Sequence, residues 1–413
     1  MESTDKRNNQ EKSWKYYYKD ITTNYHPAWS TFSMSWGMTA LVIGMIPLDR
    51  ADNNGVKDAV RIIGIIIWAW NSLYILIFYS LLFMSPRNLK RIVRSKERMY
   101  MLGAFSMDLS VWIASLSTFF YVGTASFVLW WIDIALALYI CCYLFFRTVL
   151  VEKMQIDVLN GLEGSLIIHI LPLITAANVG PAIVMYQNSN EIKITCILTS
   201  YILLGMDIFM SFTLISMYLA RLFQAGKSKH APNAIGIIMG PISFTGSLIL
   251  KLANAAYDLD WPTEQTKKFA SIGPGAAFFI GLICWGTAVY FFILSFGITI
   301  SHIYSEIRLT NSWKFNLGYW PLIFPLGTLC FCTYAITIYT EMLFFYIMSW
   351  IFALICVVLS VFFHVLTIYH TFFNYESWWS SFRYLEMKEF EETVTESEQV
   401  PASNSVSTSV IEA

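Results

Sequence analysis

The chain has 413 residues, of which 56% are hydrophobic, 17% aromatic and only 13% charged, and its formal net charge is -1. This composition excludes an ordinary soluble globular protein and indicates a polytopic membrane protein. We expect no nucleic acid partner, and a net charge this close to zero says little by itself. In a membrane protein, the position of each charge is more informative than the sum.

The chain begins with a polar segment and continues as a series of apolar ones. The first 25 residues carry charges of both signs and lack the apolar core and cleavage site of a secretory signal, which predicts a cytosolic tail over residues 1–25. Apolar segments of membrane-crossing length follow. We predict ten spans at residues 27–47, 62–84, 101–121, 127–147, 164–186, 192–219, 232–253, 272–299, 317–340 and 344–370.

Lysine and arginine residues cluster in the connections that follow even-numbered spans. The strongest cluster follows span two and contains six basic residues and one acidic residue, Glu97. The basic residues are Arg87, Lys90, Arg91, Arg94, Lys96 and Arg98. The connections that follow odd-numbered spans are short or balanced by acidic residues. By the positive-inside rule, both termini are predicted to lie in the cytosol.

The end of the chain differs in composition from everything before it. Residues 376–413 are acidic and rich in Ser and Thr, with almost no large apolar side chains. This pattern predicts a disordered cytosolic tail. The residues between the two tails, 26–375, form the predicted ten-helix transmembrane domain.

Odd-numbered and even-numbered spans differ in side-chain size. Spans one, five, seven and nine carry Gly, Pro or small polar residues at depth, whereas spans two, four and six are dense in bulky apolar residues. Small residues and helix breaks need shelter from lipid. We therefore predict an all-α integral membrane protein of five helical hairpins, with odd helices inner and even helices outer. The alternative interpretation is that the small residues only permit close helix packing.

Span nine contains an internal break. Within the segment 313–340, Pro325 lacks a backbone donor and predicts a bend at membrane depth, and Phe324 stands directly beside it. From composition alone, Phe324 can be read as an ordinary packing residue. The alternative reading is a hydrophobic constriction in a pore.

Few ionisable residues fall within the predicted spans. They are Asp108, Asp133, His169, Asp207 and Lys251, with His302 and His364 near span ends. Because a charged group in the bilayer costs several kcal/mol unless it is paired or hydrated, each is a functional candidate. Lys251, one turn before Asn254, either reaches the outer interface or attracts anions. Asp108, on an inner span, either carries a proton or is solvated near the cytosolic interface, whereas Asp207, on an outer span, fits a packing role.

The sequence carries no signature of catalysis or of cofactor binding. The sequence has no phosphate-binding Gly loop with Lys, no His-Glu-x-x-His and no nucleophile elbow. Its seven cysteines lie within or at the edge of apolar segments, which argues against a disulfide framework and a zinc site. We therefore expect a protein that is not an enzyme and has no cofactor or metal.

Three segments resemble those of a known transporter family. They are PAWSTFSMSWGMTALVIGMIP in span one, MGPISFTGSLILKLANAA in span seven and WKFNLGYWPLIFPLGT leading into span nine. The sequence resembles the tellurite-resistance/dicarboxylate transporter (TDT) family, which has the SLAC-type anion channel fold and includes plant anion channels, fungal sulfite efflux pumps and fungal malate permeases. Span seven is more similar to the malate permease pattern, G-P-x-x-F-x-G.

The resemblance implies an architecture and a set of site residues. It implies five hairpins around a central pore, often in a homotrimer with one pore per protomer. It also implies a gating phenylalanine on span nine, which falls on Phe324 beside Pro325. Within span seven, Ser243, Lys251 and Asn254 are the implied anion-binding residues, and Asp108 is our candidate for proton coupling.

The function implied by the resemblance is transport in the plasma membrane of a fungus. The leading prediction is proton-coupled transport of malate and related C4-dicarboxylates, with small anions, protons and the lipid bilayer as partners. The alternative is a sulfite efflux pump or an anion channel on the same scaffold. A structural or receptor role is a third possibility, favoured only by an occluded pore without polar lining.

Overall fold

A computed structural model describes residues 25–46, 48, 54–151, 164–226, 232–311, 313, 315 and 317–373. The predicted tails, 1–25 and 376–413, lie outside these residues except for Tyr25. The chain divides into two units, Met1–His364 and Val365–Ala413. The candidate site lies within the first unit, and of the second the structure describes only the helical residues Val365–Phe373.

The described part of the chain is helical and contains no strand. The α-helices are α1 (Trp29–Gly44), α2 (Asn54–Met84), α3 (Pro86–Arg94), α4 (Lys96–Tyr100), α5 (Gly103–Phe120), α6 (Gly123–Leu138), α7 (Phe145–Leu150), α8 (Ser165–Ile168), α9 (Pro172–Val184), α10 (Asn190–Ala225), α11 (Met239–Tyr257), α12 (Glu264–Thr310), α13 (Ile323–Thr340) and α14 (Leu343–Phe373). A π-helical segment, Tyr139–Leu144, joins α6 to α7, and 3-10 helices, Pro232–Ile238 and Leu317–Leu322, precede α11 and α13.

Eight helical segments in the described residues are long and apolar enough to cross a membrane. The helices at predicted spans one and five are shorter, because α1 has 16 residues and α9 has 13. An all-helical, multi-pass membrane fold is therefore confirmed. The count of ten spans stays a prediction.

Five helices of the first unit form a closed inner ring. Each of α1, α5, α9, α11 and α13 contacts the next, and α13 contacts α1. Outside this ring, α2 packs on α1 and α5, α6 on α5 and α9, α10 on α9 and α11, and α12 on α11 and α13. The prediction of inner odd helices and outer even helices is confirmed.

Burial follows the same division. In the most apolar window of each segment, 78% to 89% of residues are buried for α5, α11 and α13, against 17% to 39% for the outer segments. Outer helices expose large apolar side chains such as Phe209 and Phe279 to the surroundings. Small residues let inner helices approach their neighbours: a methyl group on Gly103, at the start of α5, would overlap the backbone carbonyl of Ile168 in α8.

Near Pro325, where the sequence predicts a bend, the structure has a change of helix type. The 3-10 helix ends at Leu322 and α13 begins at Ile323, so Pro325 is the third residue of the α-helix. In the first turn a missing N–H removes no intrahelical hydrogen bond, and proline is tolerated there. The break therefore marks the start of α13, and the helix beyond it is regular.

Candidate functional site

A narrow cavity of ≈ 30 Å³ lies between the five inner helices, and every one of them contributes residues to its wall. We call it the central cavity. Its size is sufficient for water. A cavity of this size does not hold an anion with a full hydration shell.

One sector of the wall is polar. It consists of Ser110 from α5, Thr175 and Asn178 from α9, and Lys251 from α11. The hydroxyl of Ser247, on α11, donates to Asn178 Oδ1 at 3.4 Å, which links α11 to α9 beside Lys251. Hydroxyl, amide and ammonium groups are donors that can replace the water around an anion. We call Ser110, Thr175, Asn178 and Lys251 the polar wall.

The rest of the lining is apolar and consists of Val111, Ala114, Val179 and Ala182 from α5 and α9 and of five larger side chains. Met38 and Leu41 from α1 and Met45 directly after it are three of these larger side chains, and Phe244 from α11 and Phe331 from α13 are the other two. We call these five residues the apolar wall. They supply bulk that narrows the cavity and no hydrogen-bond donor.

Lys251 connects the two walls. Its Nζ atom lies 5.1 Å from the centre of the Phe331 ring, within the range of a cation–π interaction. In the described ranges of the five inner helices, Lys251 is the one lysine or arginine. The sequence prediction that Lys251 belongs to the anion site therefore has a geometric basis, since its side chain contributes to the cavity wall.

Phe324, predicted as the gate, does not line the central cavity. Its ring is 1% exposed and packs edge to face on Phe244, with 5.6 Å between ring centres. Phe244 in turn lies 6.4 Å from Phe331, so the three rings form one aromatic cluster. Phe324 supports the cavity from behind, and its assignment as the gate stays a prediction.

Two further residues predicted for anion binding lie away from the cavity wall. Ser243 is fully buried and hydrogen-bonds Thr328 at 2.5 Å, so its hydroxyl ties α11 to α13. Asn254 is half-buried one turn beyond Lys251 and is not among the lining residues. The structure thus brings only Lys251 of the predicted set to the cavity.

Asp108, the candidate for proton coupling, faces the outer helix α2. It is buried and accepts from Asn71 Nδ2 at 3.4 Å, while Asn71 Oδ1 accepts from Ser33 at 3.1 Å. None of these three residues lines the central cavity.

Asn178, Thr175 and Ser110 were not predicted from the sequence. They are ordinary small polar residues on two helices, and no spacing in the chain marks them. The sequence marks Asp133 only as an ionisable residue within a span, yet its carboxyl accepts from Ser106 at 3.0 Å and from Ser110 at 2.5 Å. Among the described residues, no group of three or more His, Cys, Asp or Glu side chains is placed to hold a metal ion.

Comparison with known proteins places these features in a family. Residues 24–368 match the family described as SLAC1: Voltage-dependent anion channel. The chain is 23% identical over 359 residues to the Sulfite efflux pump SSU1 of Arthroderma benhamiae, covering 84% of this chain and 91% of that protein. It is 21% identical over 339 residues to the Sulfite efflux pump SSU1 of Candida albicans, covering 75% and 66% respectively.

The chain also matches a relative that is named for malic acid and not for sulfite. The chain is 19% identical over 316 residues to the Malic acid transport protein of Schizosaccharomyces pombe, covering 73% of this chain and 68% of that protein. The family match covers most of the chain and all five inner helices. This protein therefore belongs to the SLAC1, voltage-dependent anion channel, family.

Proposed function

We propose that this protein moves a small anion with a single negative charge across the plasma membrane, through the central cavity. The observation that carries the proposal is the cavity itself, which receives residues from all five inner helices and has Lys251 in its wall. One ammonium group balances one negative charge. The three other members of the polar wall offer the hydrogen bonds that a desolvated oxyanion needs.

The first candidate substrate is hydrogensulfite, the monoanion of sulfurous acid. It is small, singly charged and rich in oxygen acceptors, which suits a narrow passage with one lysine. The similarity to sulfite efflux pumps over most of the chain supports this choice. Transport would then run outward.

The second candidate is malate, which was the leading expectation from the sequence. The match to a malic acid transport protein supports it. Malate carries two carboxyl groups, and a passage with one lysine suits its monoanion, in which one carboxyl is protonated. Coupling to protons would follow from that choice.

The experiment that separates these candidates uses the purified chain in liposomes. Vesicles are loaded with sulfite or with radiolabelled malate, and the release of each anion is followed. We expect sulfite release well above that of protein-free vesicles, and slower release of malate. Lys268→Gln, which alters an exposed lysine at the start of α12, serves as the matched control for Lys251→Gln.

The outcomes have distinct meanings. Faster release of malate than of sulfite would reverse the order of the candidates. Release of neither anion above protein-free vesicles would contradict the proposal. Equal release by Lys251→Gln and Lys268→Gln would show that the anion does not pass the polar wall.

The setting of this activity is also a proposal. Basic residues of α3, such as Arg91 and Arg94, support a cytosolic position for the connection after α2, and hence for both termini. The proposal of a homotrimer with one passage per protomer rests on the family resemblance. Accessibility of terminal epitopes in intact cells, and the mass of the detergent-solubilised protein, test these two points.

A further inference from the structure

Three aspartates lie buried in membrane-spanning helices: Asp108 on α5, Asp133 on α6 and Asp207 on α10. Each could hold a proton, but their surroundings differ. Asp207 accepts from Ser211 on its own helix at 3.0 Å, and its other carboxyl oxygen has no hydrogen-bond partner. Asp108 faces Asn71 on an outer helix. Only Asp133 shares a hydrogen bond with a residue of the polar wall.

Asp133 reaches the central cavity through a short series of hydroxyl groups. Its Oδ2 lies 2.5 Å from Ser110 Oγ, and Ser110 Oγ lies 3.3 Å from Thr175 Oγ1. Ser110 and Thr175 both line the cavity, whereas Asp133 is fully buried behind them. A proton in the cavity is therefore one serine hydroxyl away from a carboxyl group.

Both protonation states of Asp133 satisfy this network. When the carboxyl is ionised, Ser106 donates to Oδ1 and Ser110 donates to Oδ2. When Oδ2 is protonated, it donates to Ser110 Oγ, and the Ser110 hydroxyl turns to donate to Thr175 Oγ1. Thr175 still donates to the carbonyl of Pro172 at 3.0 Å. Rotation of one hydroxyl thus separates the two states, and no buried group loses its partner.

We propose that Asp133 is the residue that holds the transported proton and that it exchanges this proton with the central cavity through the Ser110 hydroxyl. A donor in the cavity, hydronium or the acid form of the substrate, gives one proton to Ser110 Oγ as the original Ser110 proton passes to Asp133 Oδ2. Serine is unchanged, the carboxylate becomes a carboxylic acid, and the donor loses one proton. This inference rests on the proposed anion transport.

Other titratable groups near Asp133 are few. Asp108 is the titratable residue on α5, and α9 contains none within Pro172–Val184. Tyr79 of α2 lies close enough to interact electrostatically with Asp108 and Asp133, but its hydroxyl donates to the carbonyl of Phe105. In the π-helical segment after α6, Cys141 donates to the carbonyl of His169. None of these groups connects Asp133 to the cavity as Ser110 does.

The test measures proton and anion movement together in liposomes that contain a pH-sensitive dye. A second assay follows anion exchange at equal pH on both sides, which needs no net proton movement. We expect Asp133→Asn to lose stimulation by a pH gradient and to keep exchange. Ser110→Ala should lose part of the stimulation, and Ser110→Thr, which keeps a hydroxyl, should restore it.

Asp108→Asn and Asp207→Asn are the matched controls. Both should keep the number of protons transported per anion unchanged. An unchanged ratio in Asp133→Asn would overturn the proposal, as would loss of coupling in Asp108→Asn alone. Anion transport by the unaltered protein without any proton movement would also overturn it. If Asp133→Asn does not fold, the comparison of Ser110→Ala with Ser110→Thr decides in the same way.

An infrared measurement separates this proposal from the proposed function. Protonated carboxyl groups absorb in a C=O band distinct from that of carboxylates, and the band is recorded in the reconstituted protein as the pH is varied. We expect one component to disappear in Asp133→Asn and to shift in Ser110→Ala. If no anion is transported but this component behaves as described, the proposed function fails and the proton site stands. Identical bands in the unaltered protein and Asp133→Asn would overturn the proton site.

Discussion

The two walls of the central cavity are built from different kinds of residue. The polar wall, from α5, α9 and α11, offers donors and one ammonium group, whereas the apolar wall, from α1, α11 and α13, offers methionine, leucine and phenylalanine side chains. The first can compensate an anion for lost water, and the second can only exclude it. The contrast teaches that the donors and the bulky side chains belong to different residues of one cavity, with α11 contributing to both walls through Lys251 and Phe244 and with Lys251 also contacting Phe331.

The largest effect should come from removing the charge of the polar wall. Lys251→Gln deletes the one cation of the inner helices, and a lost interaction of about 1–3 kcal/mol corresponds to anion affinity weaker by roughly five- to 150-fold. The apparent KM should rise more than the maximal rate falls, and the effect should shrink in high salt. Lys268→Gln should leave both constants unchanged. Equal kinetics for the two variants at low ionic strength would show that Lys251 takes no part.

The next largest effect should come from opening the apolar wall. Phe331→Ala removes a ring that lines the cavity, so water can fill the space and passive anion conductance should rise. Phe324→Ala removes a ring one layer behind, where Phe244 can shift into the void, so its leak should be smaller. Conductance of each variant is measured in planar bilayers. A larger leak from Phe324→Ala than from Phe331→Ala would show that Phe324 is the gate, as the sequence predicts.

A smaller effect is expected for an uncharged member of the polar wall. Asn178→Leu keeps the size of the side chain and removes its hydrogen-bonding groups, which are worth about 0.5–1.5 kcal/mol each. Anion affinity should fall by about two- to tenfold. Leu41→Met, a similar change of shape on the apolar wall, is the control and should leave the affinity unaltered. A larger effect from Leu41→Met would remove the distinction between the walls.

The smallest effect concerns the fit of the apolar wall. A methyl group on Gly327 would overlap the side chain of Met38, which lines the cavity and can be displaced toward it. Gly327→Ala should therefore lower the transport rate without changing the preference between anions. Adding Met38→Ala should restore the rate. A double variant no faster than Gly327→Ala would indicate a general packing defect.

Much of this architecture could be predicted from the sequence, for a physical reason. Lipid accepts bulky apolar residues and rejects helix breaks and small polar residues, so the inner and outer helices differ in composition before they fold. Lys251 could be predicted because a charge within an apolar span is rare. The position of the Lys251 side chain beside Phe331 could not be predicted, since the two residues belong to different helices.

The other site residues show where sequence reasoning ends. Ser243 has a hydroxyl that could bind an anion, but this hydroxyl is hydrogen-bonded to that of Thr328. Asn178 and Ser110 look like any small polar residue of a buried helix, and only the packing of α5 and α9 brings them to the cavity. Asp133 stands on an outer helix, and its link to the cavity depends on the Ser110 side chain of another helix.

The most direct test of the account measures ion selectivity with the apolar wall opened. Phe331→Ala is placed in a bilayer that separates two concentrations of one salt, and the reversal potential is recorded. With Lys251 present, the leak should favour anions and approach the anion equilibrium potential, about 59 mV in magnitude for a tenfold gradient. Adding Lys251→Gln should move the reversal potential toward zero. The same reversal potential with and without Lys251 would contradict the claim that the anion crosses between these two walls.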